Sequence, residues 1–153
     1  MGGRSININA HIQSLDVVLS FINDALNAVF CPQKEKQQIE LAVEELFVNI
    51  SNYAYGGESG KTEINISERK NIDSSVTELL IEFTDTGKQF NPLQHKDPDI
   101  TLPLEEREPG GLGLFLVKRS MDDVKYEYTD GYNKTTIVKI WKKDKRDQAA
   151  GRT

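Results

Sequence analysis

Glu45 and Asn49 stand four residues apart in a segment of helical character, Asp85-Thr86-Gly87 closes an apolar strand, and Gly110-Gly111-Leu112-Gly113 leads into a short apolar helix. Each residue type suits one part of a nucleotide. A carboxylate such as that of Glu45 can orient or deprotonate a hydroxyl attacking a γ-phosphate. An amide oxygen such as that of Asn49 is a neutral hard ligand for Mg²⁺, which draws most of its other ligands from phosphates and water. A carboxylate at the end of a strand, Asp85, can accept from the amino group of adenine, and Gly87 lets backbone approach a flat ring. Backbone N–H groups at Gly110, Gly111 and Gly113, leading into a helix that begins near Leu114, can cradle phosphates.

Taken singly, each segment has an ordinary structural reading. Glu45 and Asn49 can be a polar flank of the core, Asp85-Thr86-Gly87 a strand-to-turn tripeptide with Phe90 and Pro92 packing its loop, and the glycines a loop before a helix cap. Their order along one chain favours an ATP site. The glycine run is neither a Walker A loop, since no Gly-Lys-Ser/Thr follows, nor a dinucleotide fingerprint, since no βαβ unit surrounds it.

The elements that must position these residues are legible in the apolar spacing. At about 100° per residue, Glu45 and Asn49 lie about 40° apart on one helix, whereas Glu44 lies about 140° from Asn49 and is expected to face solvent. That helix, predicted over 34–55, puts Ile39, Val43, Leu46, Phe47, Ile50 and Ala54 on one stripe and stops at Gly56-Gly57. An earlier helix starts at Ser14 as N-cap, with Leu15, Val18, Leu19, Ile22, Leu26 and Val29 on its face, and ends at Cys31-Pro32. A third helix is predicted over 112–121. Strands are predicted over 5–10, 62–67, 76–84, around Val124, Tyr126 and Tyr128, and over 136–141, with turns at 71–75 and Asp130-Gly131. The element order gives an α+β fold, a two-layer sandwich of about five mixed, mainly antiparallel strands with three helices on one face. One domain is expected over 1–142, followed by a disordered tail over 143–153.

Composition narrows the function classes. The 153 residues carry 19 Lys and Arg against 24 Asp and Glu, a formal net charge of −5, which argues against a dedicated nucleic-acid binder. No apolar run approaches the roughly 20 residues that span a bilayer, and the one cysteine, Cys31, forms no internal disulfide, so a reducing cytoplasm is the expected location. The start Met1-Gly2-Gly3-Arg4-Ser5-Ile6 lacks the Ser or Thr of a myristoylation signal. Asn-x-Ser/Thr triplets at Asn49, Asn65 and Asn133 read as chance matches. The stretch between Asn91 and Pro109 is long for a connection in a compact domain, the mark of a functional or disordered loop.

The three segments resemble the N, G1 and G2 boxes of the GHKL (Bergerat-fold) ATPases, the superfamily of gyrase, heat-shock chaperones, MutL and histidine kinases. The short layout is most similar to the bacterial anti-sigma-factor serine/threonine kinases. The residues that match are Glu45-x-x-x-Asn49-x-x-x-Tyr53-Ala54-Tyr55, Asp85-x-Gly87-x-x-Phe90-Asn91-Pro92, Gly111-Leu112-Gly113-Leu114-Phe115-Leu116-Val117 and Asn133-Lys134-Thr135-Thr136. The resemblance implies that Glu45 is the general base and Asn49 the Mg²⁺ ligand. It implies that Asp85, Gly87, Phe90 and Thr135 border the adenine, and that Gly110, Gly111, Leu112, Gly113 and Leu114 belong to a phosphate-covering lid. Tyr53 stands where many such kinases have His, on the nucleotide side of the helix.

The implied activity is transfer of the ATP γ-phosphate to Ser or Thr of an anti-anti-sigma (STAS) partner. A sigma factor as a second partner and a homodimer are further family expectations. Two alternatives stay open: an ATP-dependent adaptor that binds a partner without phosphotransfer, and a detached histidine-kinase catalytic domain. For the latter, neither His11 nor His95 has the setting of a phosphoacceptor.

Overall fold

The computed structural model describes residues 3–70, 75–94, 100–106 and 112–142. Five strands, β1 (Gly3–Asn9), β2 (Lys61–Lys70), β3 (Val76–Asp85), β4 (Asp123–Thr129) and β5 (Tyr132–Lys142), form one sheet in the order β1-β2-β3-β5-β4. Helices α1 (Leu15–Ala28), α2 (Gln33–Tyr53) and α3 (Leu112–Ser120) complete the fold.

Every strand pairing is antiparallel, so the sheet has no mixed portion. The reason lies in the connections. β2 and β3 follow one another as a hairpin, as do β4 and β5, and α3 delivers the chain to the far edge so that β5 returns alongside β3. The second hairpin turns in two residues, Asp130 (φ 55°) and Gly131 (φ 83°), whose left-handed backbone matches the twist of the flanking strands. The predicted turn at 71–75 lies mostly outside the described residues.

Alternation on β3 decides which face is covered. Thr77, Leu79, Ile81, Phe83 and Asp85 are buried, while the intervening residues are half-buried. The buried set meets Ile64 and Ile66 of β2, Ile137 and Trp141 of β5, and the apolar sides of the helices, including Val18, Ile22 and Leu26 of α1 and Ile39, Val43, Leu46 and Phe47 of α2. α2 packs against both α1 and α3. The other face mixes Leu80, Val138 and Ile140 with polar residues, among them Lys134 paired to Glu82 at 2.8 Å.

Two local expectations are corrected. Ser14 does not cap α1 with its side chain, because a 3₁₀ turn over Ile12–Ser14 runs straight into the helix and already gives Ser14 helical backbone angles (φ −83°, ψ −7°). Glu44 is half-buried rather than solvent-facing, because α3 lies alongside α2 and turns that side into the wall of a groove. In the long connection after β3, short 3₁₀ turns form at Pro92–Gln94 and Leu104–Glu106. Asn91 starts the first of these by accepting from the Leu93 N–H at 2.9 Å. His95 and residues 143–153 lie outside the described residues.

Candidate nucleotide site

Helical spacing on α2 brings the side chains of Glu45 and Asn49 together. The Asn49 amide nitrogen faces Glu45 Oε1 at 3.5 Å, so its carbonyl oxygen is the group left for a cation. Both residues are half-buried. They border different spaces: Asn49 lines a cleft at the end of the sheet, and Glu45 lines the groove between α2 and α3.

The cleft is built where β3 and β5 end beside the C-terminal half of α2. Its lining includes Leu46, Ile50 and Ala54 from α2, Phe90 and Pro92 from the loop, and Asp85, Asn133 and Thr135 from the sheet. Asp85 is only 5% exposed, and burial pushes its carboxyl above the ordinary value, an effect opposed by donors from Asn133 and the Gly87 N–H. Both donors use Oδ1, at 3.0 and 2.9 Å. Oδ2 accepts no hydrogen bond among the described residues. The result is a buried carboxylate with one oxygen held and the other free for a donor brought by a ligand.

As it stands the cleft encloses about 20 Å³ of solvent space, room for about one water. A purine enters only if the walls part. The chemistry of the lining nevertheless fits a purine: apolar sides for the ring faces and a single charged acceptor for an exocyclic amine.

The other residues named from sequence fall in distinct places. Thr135 is buried beside Asp85 in the cleft lining. Phe90 lines the cleft, but Tyr53 does not; its ring packs on Phe90 with centroids 5.4 Å apart and remains 53% exposed. Gly87 is required by the end of α2, since a Cβ there would lie 2.2 Å from the Ala54 carbonyl oxygen. The same carbonyl accepts from the Lys88 N–H at 2.6 Å, so the chain after β3 docks on the end of α2. Leu114 is a core residue and Leu112 is exposed. Gly110 and Gly111 lie outside the described residues.

Gly113, in the first turn of α3, sits directly on Glu45. A Cβ added there would come within 2.0 Å of the Glu45 carboxyl carbon and 2.2 and 2.4 Å of its oxygens. The carboxylate is the tip of a flexible side chain, so it can swing aside. Gly113→Ala is therefore expected to leave the melting temperature unchanged or slightly raised, given the roughly 1 kcal/mol helix preference of Ala over Gly. Phosphotransfer should fall at least tenfold if a correctly placed Glu45 carboxylate is needed. Thermal unfolding and turnover on the same sample check both halves.

Asn133 stands in a segment matched in the sequence, but its role is visible only in the structure. It is buried, and its amide donates to Asp85 Oδ1 and to the carbonyls of Lys88 (2.9 Å) and Gly87 (3.3 Å) while its oxygen accepts from the Phe90 N–H (3.1 Å) and the Tyr126 hydroxyl. It lies directly across the β3–β5 ladder from Asp85, and its sequence signal was the matched segment Asn133-Lys134-Thr135-Thr136. Tyr55 has a similar joining role, its hydroxyl donating to the Lys61 carbonyl and accepting from the Thr86 N–H.

For Mg²⁺ the protein offers the Asn49 oxygen, and among the described residues no three His, Cys, Asp or Glu side chains converge on one point. Such a donor set suits an ion held largely by phosphates and water.

Comparison with known proteins identifies the family and the fold. The model of the histidine kinase-like ATPase domain matches residues 8–139. The serine/threonine-protein kinase BtrW of Bordetella bronchiseptica is 25% identical over 101 residues, covering 65% of this chain and 67% of that protein. The serine-protein kinase RsbW of Bacillus thuringiensis is 28% identical over 97 residues, covering 62% of this chain and 58% of that protein, so the match to it spans little more than half its length. Among solved structures, the RsbU and RsbW domains of Rv1364c from Mycobacterium tuberculosis superpose with a TM-score of 0.59 at 14% identity, over 91% of this chain and 32% of that one, a likeness of fold. With the family model spanning β1 to β5 and the strand order and cleft described above, the chain belongs to the histidine kinase-like ATPase domain family.

Proposed function

We propose that this chain is an ATP-dependent serine/threonine protein kinase of the anti-sigma-factor type, acting on Ser or Thr of a small anti-anti-sigma (STAS) protein. The observation that carries the nucleotide half is the buried Asp85 carboxylate, with Oδ2 accepting no hydrogen bond among the described residues, in an apolar cleft whose lining residue Asn49 faces Glu45 of the neighbouring groove. The kinase half is supported by kinship with BtrW and RsbW.

In this reading Asp85 accepts from the adenine amino group, and the side chains of Leu46, Ile50 and Phe90 flank the ring. Asn49 would hold Mg²⁺ through its amide oxygen, and the ion would supply charge neutralisation for the phosphates. Glu45 orients the partner's hydroxyl and takes its proton as the bond to the γ-phosphorus forms and the bond to the bridging oxygen of ADP breaks. Gly113 and the glycines before it cover the phosphates. A sigma factor as second partner, a homodimeric state and a cytoplasmic location accompany the proposal; no helix among the described residues is long and apolar enough to cross a membrane.

The test is capture of partners from native lysate on immobilised protein with and without Mg²⁺-ATP, followed by phosphosite mapping. Acid-stable phosphate on Ser or Thr of a STAS protein is the expected result. Absence of Mg²⁺-dependent ATP affinity would sink the nucleotide reading, and acid-labile label on a partner histidine would replace the serine kinase by a histidine kinase.

A further inference from the structure

We propose that Asn133, held by Tyr126 of the edge strand β4, is the positioning residue that makes the cleft selective for a 6-amino purine over a 6-oxo purine. It does so by fixing Asp85 as an ionised acceptor with one oxygen presented to the base. The inference rests on the nucleotide reading above and extends it to a residue to which that reading gives no role.

The argument begins with the orientation of the amide. A primary amide has one end that donates and one that accepts. The Phe90 backbone N–H, 3.1 Å from Asn133 Oδ1, can only donate, so the oxygen must face it. The amino end then faces Asp85 Oδ1 at 3.0 Å and the Lys88 carbonyl at 2.9 Å; the carbonyl is always an acceptor, and the carboxylate, once ionised, is an acceptor only. Turning the amide over would set N–H against N–H and oxygen against oxygen. The Tyr126 hydroxyl gives the oxygen a second donor. With every polar atom engaged inside the protein, Asn133 has none to spare for a ligand and acts through Asp85.

Two effects follow for the base. The donor from Asn133 favours the carboxylate form of Asp85 against the burial that disfavours it, and an ionised carboxylate attracts an amino group but repels the carbonyl of guanine. Asn133 also ties Lys88 and Phe90 to β5, fixing the loop side of the cleft. Among the described residues, Lys88 of that loop shares the cleft lining with Asp85, and Tyr126 on β4 interacts with it. Burial holds the Tyr126 phenol above its ordinary value, so it stays neutral in the acid and neutral range. α2 presents Leu46, Asn49, Ile50 and Ala54 to the cleft, none of which titrates.

The experiment measures Mg²⁺-ATP and Mg²⁺-GTP affinity of the full chain from about pH 5 to pH 8 by displacement of a fluorescent nucleotide, together with NMR titration of the Asp85 carboxyl without ligand. The parent should prefer ATP and lose affinity as the pH falls. Asn133→Asp sets two carboxylates side by side, so at pH 7.5 it should bind ATP about tenfold or more weakly. It should then regain affinity on acidification, as a single shared proton restores the donor. Its pH slope is thus opposite to the parent's. Tyr126→Phe, which removes one hydroxyl and should fold normally, is expected to narrow the ATP/GTP ratio about threefold.

An Asn133→Asp protein with the parent's pH slope and base preference, altered only in thermal stability, overturns the proposal. So does an Asp85 titration that Asn133→Asp leaves where it was. A parent that binds no nucleotide, while the Asp85 titration is displaced in the Asn133→Asp variant, keeps the hold of Asn133 on Asp85 and overturns the nucleotide reading instead.

Discussion

Asp85→Asn is expected to lower ATP affinity by roughly 150-fold, about 3 kcal/mol, without destabilising the protein at neutral pH. The amide oxygen of the replacement can still accept from Asn133 and from the Gly87 N–H, the two donors now on Oδ1. The open position changes from acceptor to donor, and the adenine amino group then meets an N–H. Stability should not suffer because the parent carboxyl is held above its ordinary value of 3.8, with burial as the largest cause. The linkage has a definite sign. A folded-state value above the unfolded one means that the ionised group opposes folding, fully so above the folded value, and that this opposition is relieved as the pH falls through that value towards 3.8. The parent should therefore gain stability from Asp85 on acidification through that window, and the Asn variant should lack the gain. ATP affinity of the parent moves the other way, falling as Asp85 takes up its proton. Isothermal titration and thermal melts across the same pH series check both slopes.

Glu45→Gln should lower phosphotransfer by about 10²–10⁴-fold while changing Mg²⁺-ATP affinity by no more than about threefold. Glutamine keeps the volume packed under Gly113 and an oxygen for the Asn49 amide, so the variant removes basicity and little else. Glu45→Ala would also open a gap beneath α3 and is the poorer test. Single-turnover transfer to a Ser- or Thr-bearing partner, with nucleotide affinity measured separately, gives the result. Retained transfer would remove Glu45 from the chemistry. A parent that captures its partner in an ATP-dependent way with no transfer at all would favour the adaptor reading.

The parts of this site that could be read from the sequence are those set by local periodicity. Helical spacing puts Glu45 and Asn49 on one side of α2 whatever else the chain does, and the 3.5 Å approach of their side chains follows. Two-residue alternation through Leu79, Ile81 and Phe83 carries the strand to a buried Asp85 in the same way. The partners of these residues, as opposed to the residues themselves, depend on contacts between distant segments. Asn133 is 48 residues from Asp85 and 43 from Phe90, and a polar residue in a strand ordinarily reads as solvent-facing. Tyr53 lies one turn beyond Asn49, which suggested the nucleotide side, yet its ring is engaged by Phe90 through the path of the loop after β3. Glu44 looked exposed on the isolated helix and became a groove wall only when α3 docked. Gly87 was noticed for its missing side chain, while the partner that requires it, the Ala54 carbonyl, is visible only in three dimensions.

The saturation of Asn133 has a consequence for descent. A side chain with three acceptors at one end and two donors at the other cannot be exchanged alone without orphaning at least one buried partner. Positions 85, 126 and 133 should consequently drift together among relatives: lineages that replace the asparagine should also have replaced the tyrosine or rebuilt the loop from Gly87 to Phe90. Such a correlated set behaves as one inherited character, so its persistence or wholesale loss across a family tree would mark where base preference was kept and where it was released.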